Sequence, residues 1–210
     1  MDIAYIHIGM IKTATTYMQN IWLNDKAYSL SWQGNIKYLQ SLRDMVAKDN
    51  IAQEVPLDIQ PDRPVHQGQK LVISNEGFSS AFLNRPKYQG KIPSFIEFTS
   101  RNLGKLSNKT SNLLIVVRDP VSWIRSTYIQ SVKEGGRGSG QHFVNNQIQF
   151  LKHSMNMEYI ISCYQRYFKN LLVMPYELLR KNEDLFWNQI SETFQVPVVE
   201  TRIREKLNQS

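Results

Sequence analysis

Three groups of residues in the chain have the types and spacing for anion and proton chemistry. The first is Lys12-Thr13-Ala14-Thr15-Thr16, which follows the apolar run Tyr5-Ile6-His7-Ile8-Gly9. After it come Tyr17, Met18, Ile21 and Trp22, at the spacing of one helix face, so the segment reads as a strand, a phosphate-sized loop and a helix opening near Thr13 to Thr16. The free N–H groups of such a helix start attract anions together with the positive end of the helix, and Lys12 adds a full charge. Threonine hydroxyls supply further donors to phosphate or sulfate oxygens. The second is Glu76, just past the β-rich run Leu71-Val72-Ile73 and inside the turn Ser74-Asn75-Glu76-Gly77. The third is Arg118, which ends the apolar run Leu113 to Val117, with Ser122 and Ser126 four residues apart on one face of the helix that follows.

The elements that must position these residues alternate between strand and helix. The first helix fades near Asn24 to Lys26, and Ala27 to Met45 is mixed, with a second helix expected around Tyr38 to Val46. Lys48 to Gln69 carries Pro56, Pro61, Pro64 and Gly68 and reads as an irregular excursion of the kind that often shapes a substrate site. Leu71 to Ile73 is the second strand, Ile92 to Leu103 a helix, and Leu113 to Val117 a third strand suited to the centre of a parallel sheet. Asp119 is a good N-cap and Pro120 a good first residue for a helix from Val121 to about Lys133. Glu134 to His142 contains four glycines and reads as a flexible connection; because it follows a helix and not a strand, it is no dinucleotide motif. A helix over Glu158 to Phe168, a fourth strand over Leu171 to Met174, a helix over Leu185 to Phe194 and a polar tail from Glu200 to Ser210 complete the chain. Such alternation implies α/β architecture, three layers of α/β/α around a central, mostly parallel sheet. Ligands of open α/β sheets bind at the carboxyl edge of the strands, which brings the Lys12 loop, Glu76 and Arg118 toward one crevice.

Composition narrows the partners. The 210 residues suit one domain, and 41% apolar residues with 4 Trp, 10 Tyr and 9 Phe provide an ample core. A formal charge of +7 suits an acidic ligand, but the bases are scattered and no stretch interleaves them with aromatics as nucleic-acid binders do. Cys163 is the only cysteine, so neither an intrachain disulfide nor a thiolate metal site can form, and its phase with Tyr159, Ile160, Tyr164 and Phe168 makes it a buried small hydrophobe. The longest wholly apolar run is far short of a membrane span, and strand-like sequence begins almost at Met1. A soluble cytoplasmic protein is the simplest expectation, and an excised catalytic domain of a secretory-pathway enzyme would look the same.

The common nucleotide loop, Gly-x-x-x-x-Gly-Lys-Ser/Thr, needs glycine where this chain has Ile11, which argues against ATP or GTP. The segment instead resembles the 5′-phosphosulfate loop of sulfotransferases that use 3′-phosphoadenosine 5′-phosphosulfate (PAPS, product PAP), roughly Pro-Lys-Thr/Ser-Gly-Thr-Thr. Lys12, Thr13, Thr15 and Thr16 match; Ile11 replaces the usual proline and Ala14 the usual glycine. Arg118 and Ser126 stand at the spacing of that family's 3′-phosphate motif, and Glu76 where many carbohydrate sulfotransferases carry a catalytic glutamate. The resemblance runs from Ile3 to about Phe194 and does not extend to the basic segment that many members bring across the 3′-phosphate.

The resemblance implies a PAPS-dependent sulfotransferase acting on a glycan or small alcohol without a metal. Lys12, Thr13, Ala14, Thr15, Thr16, Arg118 and Ser126 are expected to hold the cofactor, Glu76 to act as general base, and Lys12 to neutralise the departing phosphate. His7 competes as base, although a histidine inside a strand is more often a packed core residue; His66 and His142 are weaker candidates. A kinase on a related sheet and a non-catalytic nucleotide- or glycan-binding module are the alternatives.

Overall fold

In a computed structural model describing residues 2–200, five strands form one sheet: β1 (Ile3–Gly9), β2 (Tyr28–Ser31), β3 (Lys70–Ser74), β4 (Asn112–Val117) and β5 (Asn170–Pro175). Their order is β2-β3-β1-β4-β5 and every pairing is parallel. β1 is central, and all seven of its residues are buried, as suits its largely apolar sequence, His7 excepted. Side chains alternate across the sheet: Ile6, Ile8, Leu71, Ile73, Leu113 and Ile115 face one layer, whereas Tyr5, Val72, Leu114 and Val116 face the other. A bulge between Ile3 and Tyr5 sets that phase in β1.

Helices cover both faces. α1 (Thr15–Asn24), α8 (Tyr176–Lys181) and α9 (Glu183–Phe194) pack on one, through Met18, Ile21, Trp22, Leu179, Phe186 and Trp187. The other is covered by α2 (Ile36–Ala47), α3 (Ile92–Leu103), α4 (Pro120–Lys133), α6 (Ile148–Ser154) and α7 (Met157–Gln165), with α5 (Gly140–Asn146) beside α4. The three-layer α/β/α expectation holds, with a sheet that is wholly parallel. Cys163 is buried in this second layer, as its helical phase predicts.

Three expectations need correction. β2 was missed within the mixed stretch after α1, so the runs counted as second, third and fourth strands are β3, β4 and β5. Its sequence, Tyr-Ser-Leu-Ser, carries two serines, yet all four residues are buried at the sheet edge. The glycine-rich connection is shorter than expected: α5 begins at Gly140, where Ser139 caps it by accepting from the His142 amide. The centre of the sheet is β1 and not the more hydrophobic β4. Beyond Glu200, the expected polar tail lies outside the described residues.

Register decides where the loops emerge. Gly9 pairs with Val116 and His7 with Ser74, so β1, β3 and β4 end side by side. Gly9 is required there: a Cβ on it would fall 2.8 Å from the Val116 carbonyl oxygen.

Candidate active site

The chain leaves β1 through Met10, Ile11, Lys12, Thr13 and Ala14 before α1 begins. Three successive carbonyls of this loop are each held by a side chain. Thr13 Oγ1 donates to Met10 O (2.7 Å), Trp123 Nε1 to Ile11 O (2.8 Å) and Arg118 Nη1 to Lys12 O (2.8 Å). With its acceptors so engaged, the loop is left with backbone donors to offer. Lys12 and Ala14 both adopt left-handed backbone, φ 66° and 59°, the alternation that curls successive N–H groups into an anion-binding concavity. Ala14, the N-cap of α1, provides no side-chain cap, so the first-turn amides lack the partner a Ser or Asp would give them. Thr15 Oγ1 is buried without a hydrogen-bond partner, a state that costs free energy unless a ligand or water satisfies it. Thr16 is exposed, and Thr13 is buried with its hydroxyl committed to the loop itself. These features fit an anionic group above α1.

Glu76 opens a single 3₁₀ turn, Glu76–Phe78, directly after β3. Asn75 caps that turn by accepting from the Gly77 amide (2.9 Å), and Ser79 Oγ donates to the Gly9 carbonyl, fastening the turn to the end of β1. Burial raises the Glu76 carboxyl above its ordinary pKa, partly offset by its own backbone amide and by the charges of Lys12 and Arg43. Glu76 therefore lies within electrostatic reach of Lys12, whose ammonium also donates to Gln130 Oε1 at 3.0 Å. A cleft of about 450 Å³ opens beside Glu76, lined by Ile11, Trp32, Arg43, Glu76, Phe82 and Arg85 among others.

Arg118 lies on the far side of the loop. Its Nε donates to Ser122 Oγ at 3.1 Å, and its guanidinium stacks 4.8 Å from the centre of the Tyr176 ring. The helix partner it uses is thus Ser122 and not Ser126, which sits one turn further along α4, half-buried. A second hollow of about 330 Å³, lined by Ala14, Tyr17, Tyr176, Leu179, Arg180 and Glu183, adjoins it.

His7 is elsewhere. It faces the α1 layer, 5.4 Å from the Trp22 ring, and its Nδ1 is 2.9 Å from Ser74 Oγ. Full burial drives its pKa down to about 3. His66 and His142 lie in other stretches, neither lining the cleft beside Glu76. Arg43, Trp123 and Tyr176 were not singled out from the sequence. Tyr176 had a signal, since it directly follows β5 at the edge where ligands gather; Trp123 and Arg43 read as ordinary residues of amphipathic helices.

No protein-family model and no curated protein matches the chain. Solved structures do. A sulfotransferase from Alicyclobacillus acidocaldarius superposes with a TM-score of 0.61 at 11% identity, over 100% of this chain and 91% of that one. A mouse sulfotransferase, SULT7A1, solved in complex with PAP, gives 0.50 at 11% identity, over 100% of this chain and 63% of that one. The chain has a sulfotransferase-like fold. Among the described residues no helix is long and apolar enough to cross a membrane.

Proposed function

We propose that the chain is a sulfotransferase that moves a sulfuryl group from PAPS to an acceptor hydroxyl on a glycan or small alcohol. The observation that carries this reading is the meeting, at one sheet edge, of an uncapped helix start with its carbonyls pinned back and a half-buried glutamate facing a cleft. The anion-binding features belong to α1 and the Lys12 loop, and the basic group to the turn after β3, so the two reactants have separate places.

When bound, PAPS supplies an activated sulfuryl group on a phosphate leaving group. The backbone amides of Ala14 to Thr16, the Thr15 and Thr16 hydroxyls and Lys12 hold that phosphate and neutralise the charge it gains as the S–O bond breaks. Glu76 takes the proton from the acceptor hydroxyl as its oxygen bonds to sulfur. The raised pKa suits this, because a carboxylate that burial destabilises is a stronger base than an exposed one. Arg118 and Ser126 serve the 3′-phosphate, with Tyr176 and Ser122 orienting the guanidinium.

Ala14 adopts a left-handed backbone, a conformation that glycine takes readily, so the alanine does not by itself favour a non-catalytic module. Transfer of label from PAPS to a panel of hydroxyl acceptors tests the proposal. Glu76→Gln should retain PAP affinity and lose on the order of 10² to 10⁴ in turnover. Near-normal turnover on a saturating acceptor would remove Glu76 from the mechanism.

A further inference from the structure

The cleft beside Glu76 contains two arginines whose charge is not matched within it. Arg43, on α2, is half-buried, and its Nε is buried without a hydrogen-bond partner. Arg85 approaches from the loop after the 3₁₀ turn, closely enough that its charge and burial together lower the Arg43 pKa. Neither belongs to an ion pair among the described residues, where the pairs are Lys70–Asp2, Lys91–Asp49, Lys105–Glu54 and Arg166–Glu97. Glu76 attracts Arg43 and offsets one positive charge; the second is left over. Holding two like charges together with an orphaned donor costs free energy, and a bound anion relieves both.

The geometry around Arg43 is specific. Gly77 follows Glu76 and lacks a side chain; a Cβ there would fall 2.9 Å from Arg43 Nη2 and 2.5 Å from Leu39 Cδ2. The guanidinium thus lies over the residue next to the general base. Arg85 is carried by a segment in which Phe82, itself buried, and Asn84 both have left-handed backbone, φ 65° and 59°. Strain of this kind in residues other than glycine concentrates at ligand clamps. Beside the buried polar Asn75 and Ser80, the cleft has an apolar wall: Trp32 and Leu83 are half-buried, Phe82 is buried, and Ile36 is 44% exposed beside them. That wall suits the face of a ring.

We propose that the cleft selects hydroxylated acceptors that already carry an oxyanion, a carboxylate or a sulfate or phosphate ester, close to the reacting hydroxyl, and that Arg43 and Arg85 receive it. Trp32 and Ile36 support the ring that bears both groups. This rests on the sulfotransferase reading for the role of Glu76, whereas the anion preference is a property of the cleft alone.

The test uses matched acceptors: p-nitrophenyl β-glucuronide against its glucuronamide, and p-nitrophenyl β-glucoside 6-sulfate against the plain glucoside. Their equilibrium binding to the native protein is measured with and without PAP, alongside transfer from labelled PAPS. At least one anionic member should bind tenfold or more tightly than its neutral partner, as expected of charge-assisted hydrogen bonds. Which pair shows the preference separates carboxylate from ester. Arg85→Gln, an exposed position where misfolding is no concern, and Arg43→Gln should each collapse that ratio. Equal binding within both pairs, or a ratio untouched by either substitution, overturns the inference. Absence of PAP binding and of transfer, with the anion preference intact, would instead refute the sulfotransferase reading and leave the inference standing.

Discussion

Ala14→Gly is the substitution on which the loop geometry can be read most cleanly. Residue 14 has φ 59° and ψ 28°, the left-handed region, where a Cβ crowds the neighbouring carbonyl and costs about 1 to 2 kcal/mol. Glycine removes that cost and adds about 0.4 to 1 kcal/mol of unfolded-chain entropy to be lost on folding. The net expectation is a stabilisation of up to about 1.6 kcal/mol. In a chain of 210 residues that corresponds to a rise in Tm of up to about 6 °C. Because the strain is present before any ligand binds, it is relieved in the free and bound protein alike, so stability rises and PAP affinity changes little. Ala47, at the end of α2, provides the opposite sign: Ala47→Gly places glycine in a helix and should lower Tm. Thermal unfolding of both variants beside the native protein decides the matter. A fall in Tm for Ala14→Gly, parallel to that of Ala47→Gly, would refute the left-handed loop and with it the amide concavity above α1.

Glu76 and His7 make further predictions through pH. The raised Glu76 pKa means that the folded state holds its proton more tightly than the unfolded chain, so Glu76→Gln should stabilise the protein at pH 7, and the gain should vanish below the ordinary carboxylate pKa; an unchanged Tm difference across pH would contradict the burial of its charge. For the same reason the acid limb of the turnover profile should lie above that of an exposed carboxylate. His7, whose pKa falls from 6.5 to about 3, should cost stability progressively as pH drops through that window, at about 1.4 kcal/mol per unit, because the unfolded chain gains the proton first. His7→Gln should flatten that part of the stability profile, measured by denaturant unfolding, and a profile as steep as the native one would place the acid sensitivity elsewhere.

What was legible in the sequence was local. The Lys12 loop, the N-cap at Asp119, the strand ends before Glu76 and Arg118 and the helix Ile92–Leu103 are written in contiguous residues, where periodicity and capping act over a few positions. β2 was hidden because its serines break an apolar pattern at a sheet edge, and its placement depends on pairing with β3, some forty residues away. The supports of the site were hidden for the same reason. Trp123 meets Ile11, Arg118 meets Lys12 and Tyr176, and Arg43 meets Gly77 only once the sheet has brought distant segments together. The choice between Ser122 and Ser126 as partner of Arg118 is likewise a matter of side-chain reach, which their shared helix face leaves open.

The central claim, that this edge of the sheet binds a 3′-phosphorylated adenosine nucleotide for sulfuryl transfer, is tested most directly by metal-free calorimetry of 3′,5′-bisphosphoadenosine against 5′-AMP. The two ligands differ only in the group assigned to Arg118 and Ser126. Charge-assisted hydrogen bonds to that phosphate should make the bisphosphate bind about tenfold or more tightly. Arg118→Ala should bring the ratio close to one. Because Arg118 also holds the Lys12 carbonyl, the variant weakens the loop for both ligands, and the ratio cancels that shared loss. Equal affinity of the native protein for the two nucleotides would contradict the account and leave the kinase or binding-module alternatives.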